Sequence, residues 1–319
     1  MLSVFFRSIQ GILVVIVMIG IGYVFAKKGW FDQDFTRIIT KVVTNISLPA
    51  YMITTILNRF TPKSLINDVP KLIIPFLSMI LLFGLSWIVI WILKIPNDYR
   101  GIFSSMFFNS NTVFIGLPVN VALFGDKSLP YVLIYYIANT TMFWTLGVWL
   151  IQRDGELYYK LSLKQLAGRI FSPPLLGFII AVLLVFLPFD IFSYVPFLRH
   201  DLIYLGNMAI PLSMIFIGIS ISHIGLRQIR LDRKTLGVIF GRFVFSPLLM
   251  TILLTFTHLP IFVKQIFIIQ SAMPVMTNAP IVAKMYGAKA DFASILVAET
   301  TILSLIVIPI LMILVEFIN

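Results

Sequence analysis

The sequence predicts an all-α polytopic membrane protein with ten transmembrane helices in a 5+5 inverted repeat, whose fourth and ninth helices are broken and cross. Of the 319 residues, 59% are hydrophobic and 12% are charged, whereas a soluble domain of this length needs more polar surface. Polar residues and proline interrupt two long apolar segments, and several features recur 162 positions apart. Apolar runs of about 20 residues, the length that crosses a bilayer, define spans 1 to 10 at 6–26, 37–58, 70–93, 99–124, 129–151, 172–189, 201–223, 235–257, 261–286 and 291–317.

The composition excludes several classes of function. There is no cysteine, so disulfides and thiol-bound metals are excluded. His200, His223 and His258 lie at span ends without metal-ligand spacing, and the chain has no HExxH, GxSxG, GxGD or phosphate-loop motif. We therefore expect no enzyme, no cofactor and no metal. The net charge of +11 is typical of cytoplasmic Lys and Arg in a membrane protein, so we expect no nucleic-acid partner.

Span 1 and the distribution of Lys and Arg predict the orientation in the cell membrane. Span 1 is followed by Lys27 and Lys28 instead of a small-residue cleavage site, so we expect it to be retained. Apart from Arg242 within span 8, 16 of the 24 Lys and Arg residues fall on one side, which should be cytoplasmic. Both termini are then extracellular. The other side carries Arg7, Arg59, Lys63, Lys71, Lys127, Arg199 and Lys264.

Spans 2 and 7 show that the chain repeats itself. Span 2 contains Asn45 four residues before Pro49, and span 7 contains Asn207 four residues before Pro211. The same offset of 162 positions relates Pro118 to Pro280 in spans 4 and 9. Because five spans per repeat is an odd number, the repeats (1–160 and 161–319) must insert with opposite orientation. Asn45 and Asn207 are candidates for the substrate-site wall, or for bonding to carbonyls that the prolines free.

Spans 4 and 9 are predicted to break at membrane depth, where a broken helix is tolerated only beside protein or a water-filled cavity. If the breaks cross, two positive helix N-termini meet, and this arrangement suits an anion such as a carboxylate. Pro118 and Pro280 suit the first turn of the second half-helices. The polar residues beside them either cap those half-helices or bind substrate. The predicted substrate-binding residues of the breaks are Asn109, Asn111, Thr112, Gly116, Pro118, Pro274, Thr277, Asn278 and Pro280.

Spans 5 and 10 carry polar clusters in matched positions. Glu299 lies eight residues into span 10 and is followed by Thr300 and Thr301, and the repeat relates Thr301 to Asn139 in span 5. A carboxylate at this depth is costly unless it is paired or protonated. We therefore predict these four residues as a coupling site, with Glu299 binding a proton or cation. The alternative is a structural ion pair with Lys284.

Arg242 lies about five residues inside the cytoplasmic end of span 8. It either attracts an anionic substrate or extends its charged end to the interface, and the second behaviour is the commoner one for such an arginine.

Three stretches resemble the auxin efflux carrier family, which includes plant PIN-type carriers and bacterial malate or malonate permeases. NTVFIGLP at 111–118, followed by FGD at 124–126, is similar to the N-T-x-x-x-G-[IL]-P…YG[DE] pattern of the family's fourth span. IQSAMP at 269–274 with VAKMY at 282–286 resembles its ninth span, and NISLPA at 45–50 resembles its second. The resemblance covers essentially the whole chain. It departs at Glu299-Thr300, where a Ser-Thr pair is common in the family, so the coupling of relatives does not transfer.

The resemblance implies a secondary transporter that moves small organic anions, mono- or dicarboxylates such as malate or malonate, by an elevator-like mechanism. Spans 3–5 and 8–10 would form the moving transport domain, and spans 1, 2, 6 and 7 a static scaffold that is often dimeric. Two other functions stay open at this point: an anion channel, and a sodium-coupled organic-anion symporter of the bile-acid type. A sodium site needs acidic or carbonyl ligands, and only Glu299 supplies a carboxylate near the breaks.

Overall fold

The fold is helical throughout the part of the chain that the structure describes. This computed structural model describes residues 2–155, 171–223 and 232–316. Apart from turns, bends, short irregular connections and one isolated β-bridge, these residues form helices, which confirms the predicted all-α membrane class. The predicted repeat boundary at residue 160, the Lys and Arg residues within 156–170 and 224–231, and the last three residues lie outside the described ranges.

In the first half of the chain, the helices follow the predicted spans and divide span 4 in two. Span 1 is Leu2–Lys27, span 2 is Gln33–Val42 continued by Leu48–Arg59, and span 3 is Ile73–Ile92 after the short helix Pro62–Asp68. Span 4 comprises Arg100–Phe108 and then Thr112–Gly116 continued by Leu117–Phe124, and span 5 comprises Leu129–Met142 continued through Val148–Asp154.

The second half has the same kind of interruption in span 9. Among the described residues, four helical segments are long and apolar enough to cross a membrane: Pro62–Ile92, Pro196–Ser222, Arg233–Thr255 and Ala290–Val315. Span 6 is Pro173–Val185, span 7 is Pro196–Asn207 and Ala209–His223, span 8 is Arg233–Phe240 continued through Ser246–Thr255, span 9 is Ile261–Ser271 and Ala279–Tyr286, and span 10 is Ala290–Glu316. A short helix, Ile191–Tyr194, precedes span 7.

Prolines inside three spans are accommodated by π-turns and do not break the helix there. A proline has no N–H and clashes with the preceding turn, and a π-turn inserts one extra residue into the helix. Pro280 is the second residue of its helix, as predicted, but the helix of span 4 resumes six residues before Pro118, at Thr112. The three π-turns and their prolines are Val43–Ser47 with Pro49, Thr112–Gly116 with Pro118, and Gly241–Phe245 with Pro247.

Glycines allow spans 1 and 7 to pack backbone to backbone. A Cβ on Gly22 would lie 2.2 Å from the Ile215 carbonyl oxygen, and one on Gly218 would lie 2.0 Å from the Ile19 carbonyl oxygen. Both distances are far below van der Waals contact with rigid main-chain atoms. Gly177 packs similarly against Pro49, joining spans 6 and 2. These contacts hold span 1 against span 7 and span 6 against span 2.

We expect Gly22→Ala to lower the melting temperature in detergent, because the added methyl group must push spans 1 and 7 apart. Such overpacking costs about 1–3 kcal/mol. Gly20, on the same helix, is the matched control, since a Cβ there would meet nothing within 4 Å. Gly20→Ala should raise the melting temperature slightly, as alanine is the better helix former by about 1 kcal/mol. Equal melting temperatures for the two variants would contradict this packing.

Candidate functional site

The breaks in spans 4 and 9 lie against each other. Ser110 and Val275 form an isolated antiparallel β-bridge, and the Asn111 N–H donates to the Pro274 carbonyl oxygen over 2.8 Å. The two extended segments therefore satisfy part of each other's backbone hydrogen bonding, as broken helices at bilayer depth require. Pro274, predicted as a binding residue, contributes its carbonyl to this pairing.

Side chains of spans 5 and 10 complete the hydrogen bonding of the two extended segments. Asn139 accepts from the Ser110 N–H over 2.9 Å and donates to the Ser110 carbonyl oxygen over 2.8 Å. The Thr300 hydroxyl accepts from the Val275 N–H over 3.2 Å. Thr301 instead donates to the Val297 carbonyl within its own helix. Two members of the predicted coupling cluster, Asn139 and Thr300, thus hold the backbone of the breaks.

Asn111 caps the second half of span 4 and keeps its amide donor for another partner. Its Oδ1 accepts from the Phe114 N–H over 3.1 Å, which fixes the orientation of the amide. Its buried Nδ2 has no hydrogen-bond partner within the described part of the chain. Asn278 stands at the start of the Ala279–Tyr286 helix and makes no side-chain cap. The predicted capping role therefore holds for Asn111 and not for Asn278.

Both asparagines line one cavity of about 110 Å³, together with residues of spans 2, 5 and 6. Among the described lining residues, the polar groups are neutral hydroxyls and amides, with three aromatic rings and no acidic or basic side chain. The lining includes Thr112, where one helix begins, and Asn278, the N-cap of the helix Ala279–Tyr286, so the partial positive charges of two helix N-termini favour an anion there. The lining residues are Thr44, Leu48, Ser110, Asn111, Thr112, Val113, Phe114, Tyr136, Thr140, Trp144, Ser172, Pro174, Met276, Thr277 and Asn278.

The remaining predicted binding residues support the breaks or lie elsewhere. The Asn109 amide donates to the Ser105 carbonyl in its own helix. A Cβ on Gly116 would lie 2.3 Å from Oε1 of Gln270, so glycine permits a close approach of spans 4 and 9. Pro118 lines a separate apolar cavity, and Pro280 lies in the first turn of its helix. Asn45 and Asn207 are exposed and do not line the site cavity, unlike the predicted wall position.

Glu299 and Lys284 occupy different environments. The Glu299 side chain is buried, with 3% of its surface exposed, whereas Lys284 is exposed. The ion pairs recorded within the described ranges do not join the two residues. The structure therefore gives no support to the predicted ion pair between them.

Sequence reasoning missed three residues at the site. Tyr136 and Ser172 form a 2.5 Å hydrogen bond between their hydroxyl oxygens, joining spans 5 and 6 at the edge of the cavity. Gln270 is fully buried, and its amide lies 3.4 Å from the Thr112 carbonyl oxygen. The only signal for these residues was polarity within apolar spans, which does not distinguish them from the many other polar residues there.

Known proteins resemble this chain along nearly its full length. A family model described as membrane transport protein matches residues 8–312. An uncharacterized transporter of Methanocaldococcus jannaschii is 24% identical over 305 residues, which cover 93% of this chain and 95% of the relative. An uncharacterized transporter of Methanothermobacter thermautotrophicus is 26% identical over 319 residues, covering 96% and 98%. Neither name states a substrate.

Proposed function

Because the chain belongs to the membrane transport protein family, which is the auxin efflux carrier type that the sequence motifs resemble, we propose that it is a secondary transporter of small organic anions. It is a membrane transporter and not an enzyme. The proposed substrates are mono- or dicarboxylates such as malate or malonate. The observation that carries the proposal is the cavity where two helix N-termini and the unsatisfied amide donor of Asn111 meet.

The physical basis of the proposal is electrostatic. A carboxylate in the cavity accepts the Asn111 donor and lies at the positive ends of two helices. The hydroxyls of Thr277 and Thr140 offer further donors in the same lining. The absence of Asp and Glu from the lining removes like-charge repulsion. A metal cation, by contrast, finds no carboxylate ligand among these lining residues.

We also propose that transport follows an elevator-like mechanism within an inverted repeat of ten spans. The cavity is lined by residues of spans 4, 5 and 9, which belong to the proposed moving domain, and by residues of spans 2 and 6, which belong to the proposed scaffold. This location is what an elevator requires, because the moving domain must carry the substrate past the scaffold. The Tyr136–Ser172 hydrogen bond joins the proposed moving and static parts, so it must break during the movement.

A ligand screen followed by transport in liposomes tests the proposed function. Malate, malonate, lactate, succinate and citrate are first compared by their effect on the melting temperature of the purified protein, since a ligand that binds only the folded state raises it. The stabilising anion is then assayed for counterflow. We expect saturable exchange. Uptake that rises linearly with concentration together with single-channel currents would identify an anion channel and overturn the carrier.

The proposed orientation, with both termini outside the cell, is tested by cysteine labelling, because the native chain contains no cysteine. Ser3→Cys and Asn319→Cys should react with an impermeant thiol reagent added to intact cells, as the bias of Lys and Arg predicts. If both sites are protected until the cells are lysed, the orientation is reversed.

We propose that Glu299 makes transport proton-linked. The observation that supports this proposal is the burial of the Glu299 side chain in span 10, where 3% of its surface is exposed. Glu299→Gln should therefore abolish the dependence of uptake on a pH gradient while exchange of substrate continues. If Glu299 instead forms an ion pair with Lys284, Glu299→Gln should lower the melting temperature. Replacing Lys284 as well should then restore part of the lost stability. Wild-type uptake that ignores a pH gradient would exclude the coupling role.

A further inference from the structure

Arg242 is fully buried, and the interface position predicted for it is wrong. None of its surface is exposed, and it is the largest of the fully buried side chains in the described ranges. It belongs to the π-turn Gly241–Phe245 of span 8, a type of distortion that often marks functional sites in helices. An arginine is almost never buried without compensation for its charge.

Within the described ranges, the recorded hydrogen bonds of the guanidinium all go to backbone carbonyl oxygens at the two broken helices. Nη1 donates to the Phe107 carbonyl over 3.2 Å, and Nε and Nη2 donate to the Met273 carbonyl over 3.1 and 3.0 Å. Nη2 also donates to the Ser271 carbonyl, which in addition accepts from the Ser246 hydroxyl over 2.8 Å. Every acceptor lies within the last turn of a first half-helix or just after it.

These carbonyls carry the negative ends of two helix dipoles. Arg100–Phe108 and Ile261–Ser271 both end here, and the last carbonyls of a helix have no partner within it. Each such end carries partial negative charge that a cation stabilises. The ion pairs recorded in the described part of the chain do not include Arg242. The guanidinium is therefore balanced by helix ends and not by a carboxylate.

In transporters built from broken helices, unwound carbonyls and half-helix C-termini are the groups that coordinate a coupling sodium ion. We propose that Arg242 is a tethered cation that takes the place of such an ion, so that the protein binds and moves its substrate without sodium. The cation stays with the protein through the whole transport cycle. Its acceptor Met273 is next to Pro274, whose carbonyl binds Asn111, so the fixed charge lies close to the substrate cavity.

The claim that Arg242 is a resident cation does not depend on what the protein transports. The claim that transport needs no sodium rests on the proposed function. The first test therefore measures stability alone. Arg242→Lys keeps a positive charge, and Arg242→Gln is polar, long and neutral. Because removing the charge leaves two helix ends uncompensated, we expect Arg242→Gln to lower the melting temperature by roughly 5–10 °C and Arg242→Lys to lower it much less.

Chemical rescue tests whether a cation binds in the space that the side chain leaves in Arg242→Ala. Millimolar guanidinium chloride should raise the melting temperature of Arg242→Ala, while choline chloride at the same concentration should not, and neither should change the wild type. The claim of a resident cation is wrong if Arg242→Ala melts at the same temperature as the wild type. It is also wrong if Arg242→Gln and Arg242→Lys melt at the same temperature. If Arg242→Ala does not fold, the Gln and Lys pair decides the question by itself.

The sodium prediction is tested on the wild type, so it does not depend on any variant folding. The affinity for the carboxylate found in the screen should be the same in sodium chloride as in choline chloride. A tenfold or larger loss of affinity when sodium is removed would refute the replacement of sodium by Arg242. If no carboxylate binds under either condition, the proposed function fails. The rescue experiment then still tests whether Arg242 is a resident cation.

Discussion

Replacing Asn139 by alanine is expected to lower the stability of the protein markedly. The change leaves the N–H of Ser110 without its partner, at a residue that is 1% exposed, and removes one of two donors to the Ser110 carbonyl, which also accepts from the Thr112 N–H over 3.1 Å. Each buried backbone group left unsatisfied costs about 1–3 kcal/mol. The melting temperature in detergent should fall accordingly, and the β-bridge between Ser110 and Val275 should lose its support.

Two other variants separate this effect from a general loss of polarity. Thr300→Val removes the side-chain acceptor of the Val275 N–H and should cost less than Asn139→Ala, which loses two hydrogen bonds to the backbone. Thr301→Val is the control, because Thr301 bonds only within its own helix. We expect Thr301→Val to have the highest melting temperature of the three variants, Thr300→Val an intermediate one and Asn139→Ala the lowest. If Asn139→Ala is as stable as the control, Asn139 does not hold the break.

Replacing Asn111 by aspartate is expected to abolish carboxylate binding while the fold is kept. Aspartate preserves the oxygen that accepts from the Phe114 N–H and is an equally good helix cap. It lacks the Nδ2 donor and places a negative charge beside the substrate carboxylate. Loss of a donor to a charged group alone costs about 1.5–3 kcal/mol, or roughly tenfold or more in affinity. The added repulsion should make the loss larger than that.

Alanine variants at the two asparagines show whether capping and binding are separable. Asn111→Ala removes both the cap and the donor. The free energy of unfolding should therefore fall by about 1 kcal/mol, which lowers the melting temperature, and binding should weaken about tenfold. Asn278 makes no cap, so Asn278→Ala should weaken binding at unchanged stability. Isothermal titration and thermal melting of the purified variants measure both quantities. Unchanged affinity in both alanine variants would reduce Asn111 to a cap.

The all-helical class, the breaks in spans 4 and 9 and the family were predictable from the sequence, because each follows from local chemistry. Apolar runs of membrane length, a proline pair at matched positions and the NTVFIGLP motif need no knowledge of distant contacts. The position of Asn139 was also visible, as a polar residue matched to Thr301. Its role was not, since nothing in the sequence shows that its amide faces the backbone of Ser110.

The errors arose where tertiary packing decides between outcomes that are equally compatible with the sequence. An arginine five residues from a span end can reach the interface, and only the arrangement of two broken helices shows that Arg242 turns inward to their carbonyls. Asn45 and Asn207 precede prolines at the same spacing, yet both are exposed and neither lines the cavity. Pro118 is in the first turn of the α-helix Leu117–Phe124, as expected, but the sequence did not show that a π-turn starting at Thr112 precedes that helix without a break.

The most direct measurement of the central claim is the affinity of the carboxylate selected by the screen for the wild type, Asn111→Asp and Asn45→Asp. Both substitutions replace an asparagine of an apolar span by an aspartate and so add one negative charge. Of the two positions, only Asn111 lines the cavity between the breaks. We predict that Asn45→Asp binds like the wild type and that Asn111→Asp shows no measurable binding at the same melting temperature. Equal affinity in all three proteins would contradict an anion site at the breaks of spans 4 and 9.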